Sequence, residues 1–239
     1  MYEEGLTPLL PEVRPSDPGI EKEVEGIPIR IGMGLHDTSA SLIPYLKIEK
    51  DPFLLLSTGT WSISVNPFSE DALSTEDLEH DCLNFLRIDG GQVRVARLFL
   101  GREHEIQTEK LSEVFGVEKE RFFNLEWHKD DYESALRKRA YPFDFEHLKP
   151  DPPAQNASPA DPVWQEAYYQ LMNQLVRLQI KAMRRAAGSR VLKKLIIEGG
   201  FARNAIFVSL LQRFLPEMEV QVSEIKGGSA RGVFELVKE

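Results

Sequence analysis

The order of apolar segments in the second half of the chain is the feature that most restricts its fold. A long helical pattern over 163–187 is followed by a strand over 192–197, a helix over 202–215, a strand over 218–222 and a helix over 230–237. Strands that alternate with helices are typical of α/β proteins, in which helices cover the faces of the sheet. This half of the chain therefore predicts an α/β domain.

Two β-hairpins are predicted ahead of these alternating elements. The first pairs 53–56 with 62–65, and the second pairs 82–88 with 92–95 across an Asp-Gly-Gly turn that begins at Asp89. Asp-Gly tolerates the positive φ that tight hairpin turns require. Because the early strands arrive as hairpins and the last two lie between helices, we expect a mixed β-sheet flanked by helices.

Residues 117–162 give the least regular pattern of the chain. They hold a short amphipathic patch near 131–140, and prolines recur through the rest of the segment. This composition is typical of a surface excursion or a lid.

The beginning of the chain predicts a turn with an acidic residue at a strand end. Residues 1–26 contain four prolines and little periodicity, so they predict an extended arm without its own core. The β-branched run 27–31 predicts a buried strand, and the glycines after it allow a tight turn into a helix beginning near Thr38. Asp37 lies at this turn, where α/β proteins bind ligands. From this stretch alone, capping the helix is the favoured role of Asp37.

Charge and composition exclude several classes of function. The formal net charge of −9 and the absence of a basic stripe argue against a nucleic-acid partner, although a local site for an anion remains compatible with them. The single cysteine excludes an intrachain disulfide and suits a reducing compartment. The longest apolar runs are far shorter than the ~20 residues that a membrane-spanning helix needs, and no signal segment opens the chain. We therefore expect a cytoplasmic protein without a membrane partner.

Three glycine-containing turns follow predicted strands, at Thr58–Thr60, Leu100–Arg102 and Glu198–Gly200. Each would present backbone N–H groups to a phosphate, and two of them open into helices, whose N-termini favour anions. Each turn is weak evidence by itself, because such turns also use glycine for steric reasons. Asn204 lies one helical turn beyond Gly200, where its amide would help to hold a flat ligand; an exposed first-turn residue is the alternative.

The histidines do not predict a metal site, because their spacing does not match a ligand set. His36 lies beside Asp37, but adjacent residues do not face each other on a helix. An orienting or structural histidine is therefore favoured over a catalytic dyad.

Taken together and in this order, six segments resemble the FGGY family of carbohydrate kinases. The first two resemble the approach to the family's catalytic aspartate, and the third resembles the form of the catalytic segment in the rhamnulokinase and fuculokinase branches. The last three are similar to the phosphate-contacting hairpin, the adenine-binding turn and the small-residue start of the last helix. These segments are Leu10–Val13, Gly26–Ile29, Gly34–Ala40, Ser57–Ser62, Gly199–Asn204 and Ser229–Gly232.

The resemblance implies an actin-like, ribonuclease-H-like ATPase fold and transfer of the ATP γ-phosphoryl group to a sugar hydroxyl. The sugar would be a ketose such as rhamnulose, fuculose or xylulose. Asp37 would be the catalytic base, and His36 and Asp37 would contact the sugar. ATP and Mg²⁺ are the implied cofactors, with no metal ligand from this chain. The residues implied to bind the nucleotide are Gly59, Thr60, Gly101, Glu105, Gly199, Gly200 and Asn204; at position 105 the family more often has glutamine.

The resemblance also implies that part of the kinase is missing. Family members are about twice this length, and their first domain opens with an Asp-x-Gly-Thr loop that this chain lacks. Residues 1–47 are thus expected to be the tail of the N-terminal kinase domain, and 48–239 the C-terminal, ATP-binding domain. The missing N-terminal domain is an expected partner, and a homodimer is left open. The alternatives are a non-catalytic actin-like module that binds a nucleotide or a partner, and an acetate-kinase-like phosphotransferase.

Overall fold

The computed structural model describes residues 20–31, 34–152, 160–225 and 227–237. These residues form two compact units. The first comprises the described residues up to Ile48, Leu86–Gly91 and those after Lys226, and the second comprises Glu49–Phe85 and the described part of Gln92–Ile225. The predicted segment Leu10–Val13 and most of the predicted arm lie outside the described residues.

The elements predicted from the sequence occur in the predicted order, and the structure adds a strand over Ile20–Val24 and short helices over Thr75–Glu79 and Lys119–Phe123. The strands are β1 (Ile20–Val24), β2 (Ile27–Ile31), β3 (Phe53–Thr58), β4 (Ser62–Asn66), β5 (Cys82–Leu86), β6 (Gln92–Leu98), β7 (Lys194–Gly199) and β8 (Glu219–Val222). The helices are α1 (Asp37–Ile48), α2 (Thr75–Glu79), α3 (Leu100–Phe115), α4 (Lys119–Phe123), α5 (Lys129–Arg137), α6 (Trp164–Ala187), α7 (Ala205–Phe214) and α8 (Gly228–Val237). A 3₁₀ turn over Gly200–Arg203 joins β7 to α7.

A six-stranded mixed sheet lies at the centre of the second unit, in the order β5-β6-β4-β3-β7-β8. Strand β4 pairs antiparallel with β3 and with β6, whereas β7 pairs parallel with β3 and with β8. The hairpin strands are thus antiparallel, and the strands separated by helices are parallel. The predicted mixed α/β sheet is confirmed.

Helix α6 contributes more buried residues to the hydrophobic core than any other described element. It packs against β4 and β6 and contacts α3, α5 and α7. Its fully buried Gln179 accepts a hydrogen bond from Ser62 Oγ at 2.5 Å and donates one to Ser64 Oγ at 3.0 Å. Because these partners lie on β4, the polar contacts fix the position of the helix along the strand.

The described part of the segment 117–162 differs from the predicted surface excursion. It contains α4 and α5, and Phe122, Tyr132 and Ala135 from these helices are buried in the same core as α6. The prolines of the segment lie after these short helices, so they did not justify predicting an irregular structure for the part before them. Within the part of the chain that the structure describes, no helix is long and apolar enough to cross a membrane.

The described part of the first unit contains a β-hairpin and two helices. Strands β1 and β2 pair antiparallel, with Val24 opposite Ile27 and with positive φ angles at Glu25 and Gly26 in the turn. Two predictions are wrong here: residues 20–24 form a strand, and Ile27–Ile31 is exposed along its whole length. The β-branched run identified a strand correctly, but burial depends on what covers the strand, and a local pattern does not contain that information.

Candidate functional site

Turns from three elements of the second unit meet at an open cleft of about 280 Å³. All of the residues that the sequence analysis assigned to a nucleotide lie in its lining, except Gly199 and Asn204. The residues that line the cleft are Gly59, Thr60, Gly101, Arg102, Glu105, Phe123, Gly200 and Phe201. The structure therefore brings together segments that are far apart in the sequence.

The β3–β4 turn is fixed against the beginning of α3. Gly59 N–H donates to Trp61 O within the turn at 2.9 Å, and Arg102 N–H donates to Thr60 O at 3.1 Å. A Cβ on Gly101 would lie 1.9 Å from Gly59 O. Only glycine permits this approach, so the turn and the helix N-terminus form one wall of the cleft.

The turn after β7 is fixed against the end of β3 through Thr58. Thr58 Oγ1 donates to Glu198 O at 2.5 Å and accepts a hydrogen bond from Phe201 N–H at 3.0 Å. Gly199 has a φ of +87°, and a Cβ there would lie 1.9 Å from Thr58 O. Gly199 is thus required for packing against β3, whereas Gly200 is the glycine of the pair that lines the cleft.

The edge of the cleft carries an ion pair. Arg102 Nη1 donates to Glu105 Oε2 at 2.6 Å, and both side chains are partly exposed. This hydrogen bond raises the pKa of Arg102 above its usual value, so the guanidinium is charged. A cation beside the N-terminus of α3 favours an anionic ligand, while Glu105 offers an acceptor for hydrogen-bond donors.

Asn204 lies outside the lining, because it is fully buried at the N-cap of α7. Its Oδ1 accepts a hydrogen bond from Phe207 N–H at 2.8 Å, and its Nδ2 donates to Tyr168 Oη at 3.0 Å and to Phe123 O at 3.2 Å. The alternative of an exposed first-turn residue is wrong. The contact with adenine stays a prediction, and it would require these internal hydrogen bonds to break.

Asp37 and His36 lie in the first unit, at the start of α1. Asp37 is the first residue of the helix, its side chain is 78% exposed, and its Oδ1 accepts a hydrogen bond from Thr38 N–H at 2.7 Å. His36 Nδ1 lies 3.1 Å from Asp37 Oδ1. The prediction that these neighbours would not face each other is wrong, because His36 precedes the helix and helical spacing does not apply to it.

Helix α8 packs against α1 and supports the segment that carries Asp37. Ser229 Oγ donates to Asp37 O at 3.1 Å. A Cβ on Gly232 would lie 1.7 Å from Ala40 O, so glycine allows the two helices to touch. The small residues at the start of the last helix thus have a packing function. The predicted domain boundary at 47/48 stays a prediction, although the contacts group α8 with α1.

A metal site is not evident in the described part of the chain, since it contains no group of three or more His, Cys, Asp or Glu residues arranged to hold an ion. The cleft suits a nucleotide better, because its lining combines backbone N–H groups, one guanidinium and two aromatic rings.

A comparison with protein families identifies the chain. Residues 50–239 match the model of the FGGY carbohydrate kinase C-terminal domain. The chain belongs to the FGGY family of carbohydrate kinases. No curated protein matches its sequence. The predicted family is confirmed, while the rhamnulokinase or fuculokinase branch stays a prediction.

Solved structures of other kinases share the fold of this FGGY chain. A carbohydrate kinase from Novosphingobium aromaticivorans is 20% identical with a TM-score of 0.62, and the match covers 88% of this chain and 46% of that one. A xylulose kinase from Bifidobacterium adolescentis is 14% identical with a TM-score of 0.59, covering 84% and 39%. Plasmodium falciparum glycerol kinase with ADP is 13% identical with a TM-score of 0.56, covering 88% and 42%.

These likenesses confirm the actin-like, ribonuclease-H-like α/β fold. The FGGY chain spans less than half the length of each of these kinases.

Three of the residues that line the cleft were not predicted from the sequence. Arg102 and Phe201 directly follow predicted glycines, so adjacency to a motif was an available signal. Phe123 lies in the segment that was predicted to be irregular, and no local pattern connects it with the other turns.

Proposed function

We propose that this FGGY domain binds ATP in the cleft and forms the C-terminal part of a kinase that phosphorylates a sugar hydroxyl. The observation that carries the proposal is the convergence of three glycine turns on one cleft. These turns are the segments whose resemblance to the family implied contact with ATP. Because each turn alone has a steric explanation, their meeting at one place is the stronger argument.

The phosphate groups would lie against the β3–β4 turn and the beginning of α3. Thr60 and Gly101 would offer backbone N–H groups, whereas the N–H of Gly59 is donated to Trp61 O, and the positive end of the α3 dipole favours negative charge there. Arg102 would neutralise part of the phosphate charge. The described residues offer no cluster of ligands for Mg²⁺, which would supply further neutralisation of the phosphate charge.

The adenine would lie toward the turn after β7. Gly200 leaves open space there, since an added Cβ would meet no atom closer than 4.0 Å. Phe123 and Phe201 supply apolar surface for a flat ring. Glu105, where the family more often has glutamine, would accept a hydrogen bond from the nucleotide, with Arg102 holding its carboxylate in place.

Asp37 would act as the base that accepts the proton of the sugar hydroxyl. Its exposed carboxylate is accessible to a substrate, and His36 Nδ1 lies within reach to orient it or to contact the sugar. A strongly raised pKa is not required for this function, because the proton leaves late in a loose transition state and position matters more. A ketose is the proposed substrate, and the cytoplasm is the proposed location.

The N-terminal kinase domain is the proposed partner that completes the enzyme. The chain spans only 46% of the carbohydrate kinase that it resembles in structure. Val24 on β1 lies opposite Ile27 on β2, so their side chains share one face of the hairpin. Ile29 lies two residues after Ile27 and therefore shares this face, and all three side chains are exposed. We propose that an N-terminal domain covers this apolar face.

A second candidate function is a nucleotide-binding module without catalysis. The lining of the cleft favours it, because this lining would hold a nucleotide and does not include Asp37 or His36, the residues assigned to the sugar. Phosphorylation of a ketose by the chain joined to an N-terminal FGGY domain would support the kinase function and exclude the module without catalysis.

Titration calorimetry with MgATP tests the nucleotide site. We expect weak binding by the wild-type chain, and Gly200→Val should weaken it by about tenfold or more, because the valine side chain would occupy cleft volume. Ala205→Val is the matched control, since Ala205 is exposed outside the lining. Equal affinities for wild type and Gly200→Val would show that the nucleotide binds elsewhere.

A further inference from the structure

A chain of buried polar groups lies directly behind the cleft. It consists of His104 on α3, Tyr168 on α6 and Asn204 at the start of α7, and we call it the buried network. Tyr168 and Asn204 are fully buried, and His104 is 9% exposed. None of the three lines the cleft, and the proposed contacts with the nucleotide do not use them.

The two hydrogen bonds within the network each have a defined donor and acceptor. Asn204 Nδ2 donates to Tyr168 Oη at 3.0 Å, so the Tyr168 hydroxyl hydrogen points to His104 Nε2, which lies 3.0 Å away. Burial lowers the pKa of His104 to about 4, so its ring is neutral at pH 7 and Nε2 accepts. Burial also raises the pKa of Tyr168 well above its usual value, which keeps the hydroxyl protonated. The donor and acceptor assignments of Tyr168 and His104 are thus inferred from the pattern of hydrogen bonds.

The network is connected to both aromatic residues of the cleft. The second Nδ2 hydrogen of Asn204 is donated to Phe123 O at 3.2 Å. The His104 ring packs edge-on against Phe201, with ring centroids 5.0 Å apart, and against Phe123 at 6.2 Å. Asn204 and His104 thus contact the aromatic walls of the cleft, and Tyr168 joins these two residues to each other.

We propose that Tyr168 and Asn204 are positioning residues, which hold Phe123 and Phe201 in the arrangement that accepts the base of a nucleotide. This inference rests on the proposed nucleotide site and assigns Asn204 a function behind that site. A preformed pocket avoids the cost of ordering its walls when the ligand binds. Hydrogen bonds between buried groups join the three members of the network and favour one geometry.

The neighbouring tyrosine provides a matched control. Tyr169, also buried on α6, accepts a hydrogen bond from His128 N–H at 3.0 Å and donates to Glu126 O at 2.8 Å. Both of its partners lie outside the lining of the cleft. Tyr168→Phe and Tyr169→Phe each remove one buried hydroxyl from the same helix, so both should lower the unfolding temperature.

Nucleotide affinity separates positioning from stability. We expect Tyr168→Phe to weaken binding of MgATP by about tenfold when calorimetry is done well below the unfolding temperature, because two buried groups lose their partner. Tyr169→Phe should bind with wild-type affinity. Asn204→Ser is the second variant: serine keeps an N-cap oxygen but lacks the two Nδ2 hydrogen bonds, so it should also weaken binding.

Hydrogen exchange without ligand tests the network independently of the nucleotide. Tyr168→Phe should accelerate amide exchange at 122–125 and 199–207, and Tyr169→Phe should accelerate it at 126–132 instead. If the wild-type chain does not bind MgATP, the proposed function fails, and the exchange pattern still decides whether the network holds the walls. Unchanged exchange at 199–207 in both Tyr168→Phe and Asn204→Ser would overturn the inference.

Discussion

Gly101 and Gly199 each permit a close approach between backbones. A Cβ at either position would lie 1.9 Å from a carbonyl oxygen, that of Gly59 or that of Thr58. Gly200 differs from both, because an added Cβ would meet no atom closer than 4.0 Å. The glycines around the cleft therefore have two functions: some bring the turns together, and one leaves space for a ligand.

At the scale of single residues, Gly101→Ala should destabilise the second unit by about 1–3 kcal/mol, because the new methyl group would force α3 away from the β3–β4 turn. Urea unfolding measures the change in the free energy of unfolding. Gly200→Ala is the control and should change it by less than about 0.5 kcal/mol. Equal effects from the two substitutions would contradict the steric function assigned to Gly101.

Asp37 is the residue on which the proposed chemistry depends. In a complete enzyme, formed by joining the chain to an N-terminal FGGY domain, Asp37→Ala should lower kcat by about 10²–10⁴-fold, because the hydroxyl proton loses its acceptor. The affinity for ATP should remain similar, since Asp37 is not assigned to the nucleotide. Steady-state kinetics and calorimetry measure both quantities, and substantial remaining turnover would exclude Asp37 as the base.

Helix α2 is held by a reciprocal cap at its N-terminus. Ser74 Oγ accepts a hydrogen bond from Asp77 N–H, and Asp77 Oδ2 accepts one from Ser74 N–H at 2.9 Å. Arg94 Nη2 also donates to Asp77 Oδ1 at 2.6 Å. These contacts lower the pKa of Asp77 from 3.8 to about 2. The hydrogen bond from the Ser74 backbone has the largest effect, and the hydrogen bond from Arg94 lowers the pKa further.

This lowered pKa predicts how stability depends on pH. The ionised carboxylate stabilises the fold above about pH 4, and its contribution of about 1–2 kcal/mol should be lost as the pH falls toward about 2. Asp77→Asn should therefore destabilise the protein at pH 7 and flatten this acid-dependent loss. Urea unfolding of wild type and variant at pH 7 and pH 3 measures both effects as changes in the free energy of unfolding. Glu79→Gln in the same helix is the control, because the Glu79 side chain is exposed and has no hydrogen bond or ion pair among the described residues.

Helices α1 and α8 depend on a second close contact. Gly232→Ala should separate them, since the Cβ would lie 1.7 Å from Ala40 O. We expect faster amide exchange in α1, measured by mass spectrometry. Ala230→Val adds volume at an exposed position of α8 and should leave the exchange rates of α1 unchanged. Slow exchange in Gly232→Ala would show that the contact does not hold the helices together.

The whole molecule spans less than half of each kinase that it resembles in structure. We expect the chain alone to show no transfer of phosphate from MgATP to rhamnulose, fuculose or xylulose above background, because phosphoryl transfer depends on positioning all groups at once. A coupled assay for ADP with each ketose tests this. Efficient phosphorylation by the isolated chain would contradict the need for an N-terminal domain.

The sequence predicted most of the secondary structure because local patterns determine it. The apolar spacing identified α6 and the strand–helix alternation after it, with boundaries within a few residues of those observed. The FGGY family could also be predicted from the sequence, since its motifs are short segments that can be recognised without the structure. The burial of Ile27–Ile31 was predicted wrongly, because the pattern within a strand does not report what covers it.

The tertiary structure decided how the site is built. Only the packing of β3, α3 and the turn after β7 shows that Gly200 faces a cleft while Gly199 supports a strand. It also shows that Asn204 bonds to Tyr168, a partner 36 residues away in the sequence. A motif specifies residue types at fixed spacing, whereas the direction of a side chain depends on contacts that only the folded chain makes.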